Sequence, residues 1–203
     1  MNYLAIDTSG KNLTVIIKKG EVIHKFHDDE CGINHSVRLM PKVEELMEKA
    51  NFSLSDADFF CAVTGAGSFT GIRIGVATIK ALCFATGKPT LAVTSFDTLA
   101  YNEKDGKVLA LIDAKHNGFY ACGYKDGKVI FNPAYLMRDA VEKLAGEYDT
   151  IVSFEQINGF NIKVVSVADG LINAIERKRE EISSDIETLT PLYVRKSQAE
   201  EGR

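Results

Sequence analysis

The feature that most constrains the fold is an internal repeat. From Leu4 the chain reads LAIDTSGKNLTVIIKKGEVI, and from Ala110 it reads ALIDAKHNGFYACGYKDGKVI, with Ile6-Asp7 matching Ile112-Asp113 and Gly20 matching Gly127. Each copy has an apolar run ending on Asp, a polar turn and a second β-rich run, then a Lys-Gly or Asp-Gly pair that turns the chain into a third run. A strand, turn, strand, turn, strand unit that recurs half a chain later specifies a duplicated lobe. The expected lobes are residues 1–103 and 104–203, meeting at the polar stretch NEKDG, with the tail 188–203 packing back on the first lobe. A chain of 203 residues with 45% hydrophobic content can bury a core of that size.

Downstream of the first copy, INHSVRLMPKVEELMEKAN places Leu39, Val43, Leu46, Met47 and Ala50 at helical spacing. Asn34 is the expected N-cap, Pro41 a bend and Asn51 the stop. A strand over 58–64, a glycine-rich loop, a helix over 70–86 ended by Gly87 and a strand over 90–94 complete the order βββαβαβ. A short helix over 95–101 follows. Beyond the second copy the pattern predicts a helix over 135–145, strands over 151–154 and 163–167, and a charged helix over 168–181.

The loop GAGSFTGIRIG, residues 65–75, has the glycine content of a phosphate cradle but not its other parts. A P-loop needs Lys directly after its last Gly to reach the terminal phosphates, and here no Lys follows before Lys80. A dinucleotide loop needs an acidic residue closing the next strand, where this chain has Thr94-Ser95. The glycines read instead as a packing element, since Gly71 and Gly75 lie four apart and let another backbone approach closely. With Ile72, Ile74, Val76, Ile79, Leu82 and Phe84, the helix they open is apolar nearly all round. Such a helix is either fully buried or covered by a partner.

Catalytic equipment is sparse. His24 and His27, three apart on a strand, face opposite sides, and neither His35 nor His116 has a second ligand at close spacing, so no metal site is expected. The four cysteines show no CxxC spacing and read as reduced thiols. Neither Ser68 nor Ser95 lies in a GxSxG elbow. Asp7, Ser9 and Asp113, at strand ends before turns, are the candidate nucleotide contacts, although an Asp before Thr-Ser also caps its own turn. A net charge of −4 argues against binding nucleic acid alone. The opening MNYLAIDTSG has no basic lead, and Asp7 interrupts its apolar run, so neither a signal peptide nor a membrane span is expected and the chain is placed in the cytoplasm.

The opening LAIDTS, the helix HSVRLMPKVEELM, the string GSFTGIRIG, the segment ALIDAKHNGFY and the tail PLYVR closely resemble the TsaB (YeaZ) family over nearly the whole chain. Three departures stand out: Ala66 where the family usually has Pro, Ala114-Lys115-His116-Asn117-Gly118 in place of a more Arg- and Glu-rich turn, and a short second lobe. The resemblance implies an α/β fold of the actin-like ATPase superfamily with two RNase H-like lobes. It also implies a non-catalytic subunit that pairs with a TsaD-like protein, which transfers a threonylcarbamoyl group to the adenosine beside the tRNA anticodon, and with a TsaE-like ATPase. On that pattern the chain meets tRNA only through the complex, forms a homodimer when alone, needs no membrane and binds no cofactor by itself, ATP or ADP lying at the complex interface. TsaD-like proteins hold a metal through His-x-x-x-His, which falls here on Ser95 and Leu99. The partner face expected from the family lies on the two long helices of the first lobe: His35, Leu39, Met40, Val43 and Met47 on one, Phe69, Ile72, Arg73, Val76 and Lys80 on the other. The alternative is a small ATPase or kinase of the same superfamily acting on an unknown substrate, for which only Asp7 and Asp113 speak.

Overall fold

The computed structural model describes residues 1–195. Its two sheets are copies of one topology. The first contains β1 (Tyr3–Asp7), β2 (Leu13–Lys19), β3 (Val22–Asp28), β4 (Phe59–Val63) and β5 (Thr90–Val93), in the order β3-β2-β1-β4-β5. The second contains β6 (Lys107–Asp113), β7 (Gly118–Lys125), β8 (Lys128–Met137), β9 (Thr150–Ser153) and β10 (Ile162–Val164), in the order β10-β9-β6-β7-β8. In each, the first three strands form an antiparallel meander and the last two add in parallel on the far side of the central strand. The repeat is thus realised as structure, with Asp7 and Asp113 each closing a central strand.

Two compact units result, residues Met1–Thr94 with Ile175–Leu192, and residues from Ser95 to Ala174 with residues 193–195. The division differs from a boundary after residue 103. The helix α3 (Ser95–Ala100) is buried throughout and belongs with the second sheet, where the Tyr124 hydroxyl donates to Asp97 Oδ1 at 2.9 Å. Of the expected tail, residues 188–192 lie in the first unit, where Leu192 N–H donates to the Thr64 carbonyl and Leu189 is sealed in the core. Residues 196–203 lie outside the described residues.

In the first unit, α1 (His35–Lys49) and α2 (Phe69–Thr86) cover the sheet face formed by Leu4, Ile6, Val15, Ile17, Phe60 and Ala62. Asn34 makes no side-chain cap; a 3-10 turn over Gly32–Asn34 runs directly into α1. Asn51 does end the helix, with φ 45°, in the left-handed region that Asn tolerates.

In the second unit, α4 (Arg138–Ala145) begins three residues later than the periodicity predicts, because Tyr135 and Leu136 pair across the sheet with Tyr120 and Phe119. Pro133 is accommodated inside β8 because that strand is the sheet edge and its missing N–H breaks no ladder. Finally α5 (Val167–Lys178) starts at the residue expected to end the preceding strand, and residues 179–181 continue it as a 3-10 turn.

Candidate partner-binding face

The glycine loop is explained by what it touches. The Ser68 N–H donates to the Ser9 carbonyl at 2.7 Å, and the Thr8 hydroxyl donates to the Gly71 carbonyl at 2.7 Å. A Cβ on Gly67 would collide with the Ser9 carbonyl oxygen, and one on Gly71 with that of Thr8. The glycines therefore let the first turn of α2 lie against the turn that follows β1. Ser68 caps the helix, its hydroxyl accepting from the Gly71 N–H at 3.3 Å.

That turn carries two of the candidate nucleotide contacts. Asp7 Oδ1 accepts from the Ser9 N–H at 2.8 Å and from the Ser9 hydroxyl at 2.7 Å, so the structure brings Asp7 and Ser9 together. Burial pushes the Asp7 carboxyl above its ordinary value, opposed by the Ser9 hydrogen bonds and by His27 and His35 nearby. Asp113 does the same local work in the second unit: its carboxylate accepts from the Lys115 N–H at 2.7 Å and from the Lys115 ammonium at 3.1 Å. Both aspartates thus cap their own turns. Among the described residues, no group of three His, Cys, Asp or Glu is placed to hold a metal ion. Ser95 and Leu99 are both buried, and neither offers an imidazole.

The sequence-predicted face divides in two. His35, Leu39 and Val43 on α1, and Ile72 and Val76 on α2, are at most 5% exposed and belong to the interior of the first unit. The His35 Nε2–H donates to the Asn12 carbonyl at 2.8 Å, and the four apolar side chains join the cluster on the sheet. These five are corrected from partner contacts to core, since a side chain already enclosed by its own chain has no surface to offer. Met40 and Arg73 are exposed, and Met47, Phe69 and Lys80 are half-buried, with the Arg73 guanidinium 5.7 Å from the centre of the Phe69 ring.

What lies outward was missed. Val37 is 71% exposed and, with Met40 and Pro41, forms the outer stripe of α1, while Phe84, 88% exposed, stands with Arg73, Ala77 and Ala81 on the outer side of α2. By length and mean hydropathy of 1.3 alone, α2 could pass for a membrane span. Its buried residues Gly71, Ile72, Gly75, Val76, Ile79 and Cys83 instead form a single line against the sheet, leaving an apolar opposite side uncovered. A signal for the register was present, because glycines four apart mark the line that touches another backbone and so fix Arg73, Ala77 and Phe84 as the outside.

A central strand flanked by an antiparallel meander and two parallel strands, present twice, defines a mixed α/β protein built on a duplicated sheet. The family profile described as "TsaD: tRNA N6-adenosine threonylcarbamoyltransferase" matches residues 24–154. The protein named tRNA threonylcarbamoyladenosine biosynthesis protein TsaB from Bacillus subtilis is 29% identical, over 98% of this chain and 96% of its own length. Its namesake from Escherichia coli is 27% identical over 74% of this chain and 71% of its own. The solved structure of YeaZ from Pseudomonas aeruginosa shares the fold, with a TM-score of 0.75 at 24% identity over 95% of this chain and 99% of that one. The chain belongs to this threonylcarbamoyltransferase-related family, in its TsaB (YeaZ) branch.

Proposed function

We propose that this chain is a non-catalytic subunit that pairs with a TsaD-like threonylcarbamoyltransferase in forming threonylcarbamoyladenosine in tRNA. One observation carries the reading: on the outer sides of α1 and α2, Val37 and Phe84 are 71% and 88% exposed, more than any other large apolar side chain among the described residues. Exposed large apolar side chains on the outer sides of packed helices mark a surface that another protein covers. A two-helix face of this kind buries about 1,600 Å2 in a specific complex. The names of the B. subtilis and E. coli relatives support the pathway, and the match to a TsaD profile supports a partner built on the same architecture.

On this reading the glycine loop holds no phosphate. It seats α2 so that Arg73 and Phe84 face outward. Any ATP or ADP in the assembly sits at the joint with the partner, a TsaE-like ATPase acts on the assembled pair, and tRNA is reached through the complex. Alone, the chain covers the same face with a second copy of itself.

The test is threonylcarbamoyl transfer to tRNA by purified TsaD-like and TsaE-like proteins with and without this chain. Transfer that requires the chain, with none from the chain alone, is expected. Full activity in its absence, or turnover by the chain by itself, overturns the proposal.

A further inference from the structure

Residues 182–192 cross one side of the first unit as a single run of chain. Ser183 exchanges both backbone hydrogen bonds with Thr90, at 2.9 Å each, and so pairs with the edge strand β5. Asp185 Oδ1 accepts from the Glu187 N–H at 3.0 Å and opens a 3-10 turn, Ile186–Thr188, that lies against β5 and α2. Ile186 packs on the core cluster and Leu189 is sealed within it, while the Lys80 ammonium of α2 donates to the Glu187 carboxylate at 3.4 Å. The run ends on the glycine loop, where the Leu192 N–H donates to the Thr64 carbonyl at 2.8 Å.

That last contact reaches α2 through one residue. A Cβ on Gly65 would meet the Leu192 carbonyl oxygen at 2.9 Å and Ile72 Cδ1 at 2.6 Å, so the run and the first turn of α2 close on the same glycine. Arg73 and Phe84 stand on the outer side of that helix, and Lys80 ties its middle to the run. The grip is light all the same. Of residues 182–192 only Leu189 is buried, and the ion pair joins Lys80 to a carboxylate side chain that is 80% exposed. A segment with so few buried apolar contacts opens at a free energy well below that of the strands it lies on.

Resting on the partner reading above, we infer that residues 182–192 form a releasable strap that positions the partner face. Seated, the strap holds the glycine loop and the first turn of α2 in the binding register. Open, it frees both while the sheet stays folded, and the face no longer fits. Affinity then follows the seated fraction, because a partner that binds one state of two has its Kd raised by the reciprocal of that state's population.

The test uses the full chain against the TsaD-like protein, comparing the parent, Leu192→Pro, which removes the N–H that Thr64 accepts, the double variant Leu189→Ala/Leu192→Pro, and the control Val37→Asp/Phe84→Asp. Amide exchange well below the melting temperature follows the strap and residues 64–72, and binding kinetics follow the partner. In both strap variants, exchange over 182–192 and 64–72 is expected to rise together, roughly tenfold or more, with β1 and β2 protected as in the parent. A seated fraction of about one fifth should raise Kd about fivefold, through slower association at an unchanged dissociation rate. In the parent, saturation with the partner should slow exchange of the strap and of residues 64–72 by the same factor. This measurement decides the matter where the double variant does not fold, and a strap whose exchange ignores the bound partner overturns the inference. So does a strap that stays protected in the double variant, or one that opens without loosening residues 64–72. If the strap opens at parental Kd while the control abolishes binding, the inference falls and the partner reading survives. Binding untouched by the control brings down the reading itself.

Discussion

Asp7, a candidate nucleotide contact by its place at the end of a central strand, is engaged with its own turn. Its carboxyl is buried, it accepts two hydrogen bonds from Ser9, and burial raises its pKa from the ordinary aspartate value. A raised folded-state pKa means that the folded chain holds its proton more tightly than the unfolded one. Stability therefore falls as pH climbs above the usual carboxylate value, and the ionised group is a cost at neutral pH. Asp7→Asn keeps an oxygen to accept from Ser9 and removes that cost. The variant should melt at a higher temperature than the parent at neutral pH, with the gap closing in acid, as followed by circular dichroism. A lower melting temperature at neutral pH would instead mean that the carboxylate is needed in its charged form, as a cation-holding or catalytic Asp would be. Gly71 is the opposite case, a position where the side chain is excluded by backbone. Because a methyl there meets the Thr8 carbonyl, Gly71→Ala should destabilise by about 1–3 kcal/mol in chemical denaturation.

The two helices of the first unit separate what periodicity reveals from what it hides. Their existence and limits were legible: α2 occupies 69–86 against an expected 70–86, and Leu39, Val43 and Leu46 on α1 pack inward at helical spacing. Their outward register was not. In α2 apolar residues fall on every side, so composition offers no stripe, and Val76 looked as available as Phe84 until the sheet selected one line of contact. On α1 the charged Glu44 and Glu48 mark the outer line, but the family pattern placed Leu39 and Val43 there instead. The second unit was harder to read at its joins, because the strand β8 continues through Pro133 to Met137 where the sequence offers a helix start. The register has a direct consequence for mutants. Val76→Glu places a carboxylate in a site only 5% exposed and should unfold the first unit, whereas Phe84→Asp, on a side chain 88% exposed, should leave the melting temperature nearly unchanged and weaken partner binding by at least tenfold. Comparing soluble yield, melting and affinity for the two variants checks both halves. A Phe84→Asp variant that binds the partner at parental strength places the interface elsewhere.

At the scale of the whole molecule, duplication sets the frame. The two sheets repeat one topology, each with an Asp at the end of its central strand, and each Asp is occupied in holding its own turn: Asp7 with Ser9, Asp113 with Lys115. What the first unit adds is a set of exposed apolar side chains on α1 and α2, Val37, Met40 and Phe84. On the proposed function, one surface serves both a second copy and a different partner, which imposes a competition, because a site of about 800 Å2 on each side admits one occupant at a time. The apparent Kd for the TsaD-like partner should therefore rise with the concentration of the chain, as self-association sequesters the face, and Phe84→Asp should weaken self-association and partner binding in parallel. Sedimentation of the chain across a concentration series, repeated with labelled partner present, measures both equilibria. If partner affinity is independent of the fraction of the chain that is dimeric, the two associations use different surfaces, and α1 and α2 serve only one of them.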